Sequence, residues 1–304
     1  MSVDAVLIAG PTASGKSAAA LSLAERIGGA LINADSMQVY REARILTARP
    51  DEADMARAPH LLYGHVSVHE RYDVARYALD AAGALREAQA LARIPIFVGG
   101  TGLYFSALTD GIPDMPRVPE PIRAAARARR EELGAEAFFA EFSARDPETA
   151  LRLRAPDTQR VLRAYEVLEA TGRPLAHWQQ GPAVPLLAGL TLARVVLSPP
   201  RAELHRRIEV RFDAMLKAGA IDEAGRLQDV DPALPSAKIL GLRELGAARA
   251  GVTSLEEARI ASQTATRQYA KRQLTWLRQR MKDWRWADAD DTRNIISEIV
   301  MHYA

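Results

Sequence analysis

The stretch that most narrows what this chain can fold into is Gly10-Pro11-Thr12-Ala13-Ser14-Gly15-Lys16-Ser17, which follows the apolar run Val3-Asp4-Ala5-Val6-Leu7-Ile8-Ala9. Two glycines with four residues between them let consecutive backbone N–H groups turn inward around phosphate oxygens, and Lys16 adds a point charge. Ser17 offers a hydroxyl to Mg²⁺. The spacing needs a strand before it and a helix after it. Both are legible, since residues 3–9 are apolar and β-branched and residues 16–27 are rich in Ala and Leu up to Gly28-Gly29.

The same alternation continues. Ala30 to Ala34 and Ile94 to Val98 read as buried strands, with a helical stretch over 73–91 between them. Strand signals vanish between about 113 and 187, where Ala/Arg/Glu/Leu segments at 121–132, 135–143 and 157–170 lie between Pro-rich joints. Leu190 to Leu197 returns to a strand pattern, and helices follow at roughly 201–228, 238–249 and 255–283. The expected fold class is α/β, a P-loop NTPase-like parallel sheet flanked by helices with an inserted all-helical domain. Residues 1–112 and 188–304 form the expected core domain, and 113–187 the insertion.

Composition sets outer limits. At 304 residues and 48% hydrophobic the chain can bury a sizeable core, and no run reaches eighteen uninterrupted apolar residues, so no membrane segment is expected. The absence of cysteine excludes disulfides and thiolate metal sites and fits a cytoplasmic protein. A net charge of +2, from 40 basic and 38 acidic residues, means that a nucleic-acid surface must be a local patch. His60 and His65 have no partner at ligand spacing and receive no metal role.

By motif alone the loop is nucleotide-binding, with ATP the usual guest. Hydrolytic members of that class also carry a strand ending in an acid that holds Mg²⁺. Here Val98-Gly99-Gly100-Thr101 has no acid, whereas Asp35 follows the strand nearest in sequence to the loop. Asp35 reads either as a helix N-cap or as an acid facing the ligand crevice at the carboxyl end of a strand. Thr101 is either part of a turn or a hydroxyl aimed at the same crevice. On the helix from 201, Arg211 shares a face with Leu204, Ile208, Phe212 and Met215, so it meets an anion or a structural partner. In the last long helix Arg267, Lys271, Arg278 and Lys282 fall within a sector of about 60° beside an apolar sector of Ala270, Leu274, Leu277 and Met281. That stripe is either a solvated face or a contact for a polyanionic backbone.

Eight segments in order, GPTASGKS at 10–17, NADSMQVY at 33–40, TARP at 47–50, APH at 58–60, VGGTGLYF at 98–105, PDTQRVLRAYEV at 156–167, RIEVRFDAML at 207–216 and TRQYAKRQLTWLR at 266–278, resemble the tRNA dimethylallyltransferases, also called tRNA isopentenyltransferases. Departures from the family pattern are Leu46, commonly Gly, Arg49, usually Lys, and Leu242, usually Tyr. The resemblance implies transfer of a dimethylallyl group from its diphosphate to the exocyclic amine of the adenosine 3′ of the anticodon. It implies Asp35 as proton acceptor, Thr101 as its orienting partner, and Arg211 with residues 10–17 on the diphosphate, Mg²⁺ being held in part by Ser17. The implied tRNA contacts are Asp35, Ser36, Met37, Gln38, Thr101, Arg123, Gln159, Arg160, Val161, Leu162, Arg163, Gly241 and Arg243, with Arg267, Lys271 and Arg278 from the basic stripe. The expected partners are the anticodon stem-loop and dimethylallyl diphosphate, and the expected state is a monomer. Two alternatives stay open on the residues: a small-molecule or nucleotide kinase, and a nucleotide-sensing RNA-binding protein without catalysis.

Overall fold

The computed structural model describes residues 3–288 and 294–299. It divides into two compact units, one running to Thr109 and resuming at Leu186, the other spanning Asp110–Pro185.

In chain order the first unit begins with β1 (Ala5–Ala9), α1 (Lys16–Ile27), β2 (Gly29–Asn33), α2 (Glu52–Arg57), β3 (His60–Leu61), α3 (Val74–Ala90), β4 (Ile94–Gly99) and α4 (Gly102–Thr109). The second unit contains α5 (Glu120–Arg145), α6 (Pro147–Ala150), α7 (Thr158–Thr171) and α8 (Leu175–Gln179). The chain then returns with β5 (Leu192–Leu197), α9 (Arg201–Lys217), α10 (Ala220–Arg226), a 3₁₀ turn at Pro235–Lys238, α11 (Leu242–Arg249), α12 (Leu255–Arg280) and β6 (Arg285–Ala287).

The six strands among the described residues are all parallel, in the order β3-β2-β4-β1-β5-β6. Strand periodicity divides the core. Val6 and Ile8 of β1, Leu31 of β2 and Ile96 and Val98 of β4 pack on one face with Leu23 of α1, while Leu7, Ile32 and Phe97 face the other side. Both faces are covered, so these strands read as continuous apolar runs. β2 is not beside β1, because β4 lies between them. The order β2-β4-β1 sets three loops side by side at the carboxyl ends of neighbouring strands, where open α/β sheets bind ligands.

The structure corrects several element bounds. The helix expected over 201–228 is two, because Gly219 at φ 97° breaks it. The segments expected at 121–132 and 135–143 stand as two helical stretches within α5, separated by the non-helical Gly134 (φ 76°, ψ 172°). The last long helix ends at Arg280, so Lys282 lies beyond it and off the basic stripe. β3 and β6, of two and three residues, carry no periodicity to read.

The second unit has its own apolar cluster, with Phe138 and Phe142 of α5 against Val161, Ala164 and Tyr165 of α7. Arg129 and Tyr165 both reach Glu141, at 2.8 and 3.1 Å.

Candidate active site

Residues 10–17 wrap the carboxyl end of β1. Ser14 N–H bonds back to Pro11 O at 3.2 Å, and Gly15 at φ 90° opens α1. A side chain at Gly10 would come within 2.7 Å of Leu197 O and 2.8 Å of Ser14 Oγ, so this position must be bare for the loop to close. Ser14 Oγ is buried without a partner, a polar atom of the cradle left to be satisfied. Lys16 Nζ donates to Pro11 O at 3.3 Å. Burial lowers its pKa to about 8, against the opposing pull of Asp35 and with further lowering from Arg211.

Arg211 Nη2 donates to Thr12 Oγ1 at 2.6 Å, so the arginine on the apolar stripe of α9 points into the phosphate loop. Burial pushes its pKa down and Asp35 opposes that shift. One helical turn earlier Arg207 donates to Ser14 O at 3.2 Å while its Nε is held by Glu203 at 2.7 Å. Two arginines of α9 therefore face the loop, of which the apolar-stripe pattern singles out only Arg211.

Asp35 does not cap a helix, since none follows it. Its Oδ1 accepts the Met37 N–H at 3.0 Å in a tight turn, and its own N–H is held by Asn33 Oδ1 at 2.9 Å. Asn33 Nδ2 also donates to Asp35 O and Leu62 O, locking the backbone under the carboxylate. Thr101 Oγ1 accepts the Ser36 N–H at 2.9 Å and donates to Ser36 Oγ at 3.1 Å. The turns after β2 and β4 are thus stitched together. Gly99 is obligatory here, because a side chain would collide with the Ala34 backbone. No acidic side chain therefore fits at position 99.

The cleft that joins these groups is lined by Thr12, Asp35 and Arg211 at its polar end and by Ile208, Phe212 and Ile239 along an apolar wall, about 550 Å³ with its open mouth. Tyr269 of α12 stands in it, its pKa raised by burial and by Asp35. Gln273, one turn on, reaches both loops: Oε1 accepts from Thr12 N and Nε2 donates to Gly100 O. No sequence pattern singles out either side chain.

The remaining expected contacts distribute unevenly. Gln38 Nε2 is engaged by Thr47 O and Ala48 O at 3.0 and 2.9 Å, so this amide ties a loop. Gly241 is buried at φ 83°, beside Leu46, while Arg243 is exposed. Leu242 is buried in the main core. In the second unit Gln159 and Arg160 are exposed on α7, Arg163 Nη2 donates to Pro116 O at 3.2 Å, and Arg123 Nε donates to Val118 O at 3.1 Å. Val161 is a correction: it is 2% exposed and packs inside that unit, with Leu162 partly buried against the same cluster, so Val161 offers no side-chain surface to a partner. On α12, Lys271 and Arg278 are exposed, whereas Arg267 pairs with Glu209 at 3.3 Å.

Comparison with known proteins gives this cleft a context. A family model described as IPP transferase matches residues 38–280, and one described as isopentenyl transferase matches 3–69. The chain belongs to the IPP transferase family. IPP transferase relatives named tRNA dimethylallyltransferase include those of Parvibaculum lavamentivorans, 50% identical over 97% of this chain and 94% of that protein, and Nitrobacter hamburgensis, 49% identical over 98% and 94%. Among solved structures, the full-length tRNA isopentenylpyrophosphate transferase of Bacillus halodurans aligns at TM-score 0.69 and 31% identity, over 99% of this chain and 96% of that one. A eukaryotic dimethylallyltransferase acting on tRNA aligns at TM-score 0.75 and 26% identity, over 94% and 73%. The six-stranded parallel sheet with flanking helices is therefore the P-loop NTPase-like fold of IPP transferases.

Proposed function

We propose that this chain transfers a dimethylallyl group from dimethylallyl diphosphate to the N6 amine of the adenosine 3′ of the anticodon in tRNA, releasing diphosphate. One observation carries the reading: the phosphate loop and Arg211 face Asp35 across a single cleft, and no strand-terminal acid stands where a water-activating site needs one. That arrangement suits a reaction in which a diphosphate leaves and a proton is removed from a weak nucleophile.

The C–O bond of the donor breaks as positive character grows on the allylic carbon and negative charge on the departing diphosphate. The loop N–H groups, Lys16 and Arg211 stabilise that charge, and Lys16 regains its proton preference beside an anion. The adenine amine is delocalised into its ring, so it needs positioning and a base. Asp35 accepts the proton from N6 as the N–C bond forms, held in place by Asn33 and the Thr101–Ser36 pair. A base that reaches this cleft has left the anticodon-loop stack.

The donor set fits Mg²⁺ bound chiefly through substrate oxygens. Ser17 is exposed on the first turn of α1, and no group of three or more His, Asp or Glu gathers among the described residues. When bound there, Mg²⁺ neutralises charge on the leaving diphosphate. Arg123, Gln159 and Arg160 of the second unit, with Arg243, Lys271 and Arg278, are the residues we assign to the tRNA. Among the described residues no helix is long and apolar enough to cross a membrane, and we assign the chain to the cytoplasm as a monomer.

The test is incubation with unmodified tRNA, Mg²⁺ and either dimethylallyl diphosphate or ATP, followed by digestion and mass analysis of nucleosides. Dimethylallyladenosine is expected with the first donor. Its absence, or phosphate transfer from ATP to a small molecule, overturns the assignment.

A further inference from the structure

Gln273 is 6% exposed, and both ends of its carboxamide are engaged. Oε1 accepts the Thr12 N–H at 2.8 Å and Nε2 donates to Gly100 O at 2.9 Å. These partners belong to different loops. Thr12 follows β1 and Gly100 follows β4, and the two strands are neighbours in the sheet, so one amide closes the gap between adjacent strand ends. A side chain at Gly100 would collide with Gln273 Nε2 and come within 3.2 Å of Asp35 Oδ2. Glycine at that position makes room for the bridge.

Each end of the bridge continues into the site. Thr12 Oγ1 receives Arg211 Nη2 at 2.6 Å, on the diphosphate side. Thr101, next to Gly100, receives the Ser36 N–H at 2.9 Å, and Ser36 adjoins Asp35 on the acceptor side. Hydrogen-bonded links, joined by the covalent chain at Thr12 and at Gly100-Thr101, run from Arg211 through Gln273 to the turn that carries Asp35.

We propose that Gln273 is a positioning residue that sets the register between the diphosphate cradle and the base-accepting turn; this rests on the reaction assigned above. The carboxamide is required because it accepts at one end and donates at the other within one rigid plane. Glutamate has the same shape but presents an acceptor to the Gly100 carbonyl, and methionine fills the space while leaving both backbone groups unpaired. Register matters where two bound molecules must meet, since a misplacement of about 1 Å can cost on the order of 100-fold in rate. Each substrate on its own still finds its loop, so the loss falls on the transition state.

The experiment uses the full chain and its Gln273→Glu and Gln273→Met variants. Steady-state transfer is measured with dimethylallyl diphosphate and unmodified tRNA, inorganic diphosphate and tRNA affinities are measured separately, and the thermal midpoint is recorded. Expected is a fall in kcat of about 10- to 100-fold with both affinities within about three-fold of wild type and the midpoint within a few degrees. If Gln273→Glu does not fold, Gln273→Met decides by the same criteria. A kcat within about three-fold of wild type, or a loss matched by equal loss of affinity or by loss of folding in both variants, overturns the proposal. A wild-type chain that makes no dimethylallyladenosine refutes the assigned reaction itself, and this inference with it, whereas an active wild type isolates the role of Gln273.

Discussion

Asp35 and Lys16 show how far single residues carry the chemistry. Asp35→Ala removes the carboxylate we assign as proton acceptor and one Asx-type bond to Met37, so kcat is expected to fall about 100-fold or more while tRNA affinity, measured by filter binding, changes little. Lys16 behaves differently, because the folded protein holds its amine against an unfavourable burial. Below pH about 8 the charged amine costs stability, and between about 8 and its ordinary 10.5 the folded state binds fewer protons than the unfolded, so this group's contribution rises with pH. Lys16→Met is expected to stabilise the unliganded chain at neutral pH by about 1–3 kcal/mol in denaturant titration while removing diphosphate binding. In the wild type, donor KM should rise above pH about 8 as the cation is lost. These residues, like Arg211, were legible because their chemistry sits in local pattern: a loop spacing, an acid at a strand end, an arginine on an apolar stripe. Gln273 was not, since its partner Thr12 is 261 residues away and a buried glutamine on a helix resembles a break in an apolar face.

Elements were legible where length allowed a period to repeat. α1, α3, α7 and the four longer strands follow from spacing and branching alone. The short strands did not, having no period to repeat, nor did the break after α9, which one glycine decides, whereas the break at Gly134 falls in the gap expected between 121–132 and 135–143. The split of α9 from α10 rests on Gly219, and the bend of α5 on Gly134, both in backbone regions that side chains disfavour. Nothing lies within 4 Å of a side chain added at Gly134, so Gly134→Ala isolates the conformational cost. A loss of about 1–3 kcal/mol, read by chemical denaturation, is expected without change in diphosphate affinity.

For the molecule as a whole, the balanced charge predicted a local rather than a global nucleic-acid surface. The basic stripe of α12 is smaller than its sequence suggests, because Glu209 takes Arg267 and the helix stops before Lys282. Lys271 and Arg278 remain exposed. Reversing both charges, with Lys271→Glu and Arg278→Glu, should reduce the slope of log affinity for tRNA against log salt by about two and leave diphosphate affinity unchanged.

The strand order has a consequence for synthesis on the ribosome. β1 emerges first yet lies between β4 and β5, and β5 follows the whole second unit. The phosphate loop at the amino end is therefore translated long before Arg211 and Gln273, the side chains that brace it. A nascent chain that has not yet exposed α12 carries the motif without its bracing, so a stalled or truncated translation product should not compete with the finished protein for its donor.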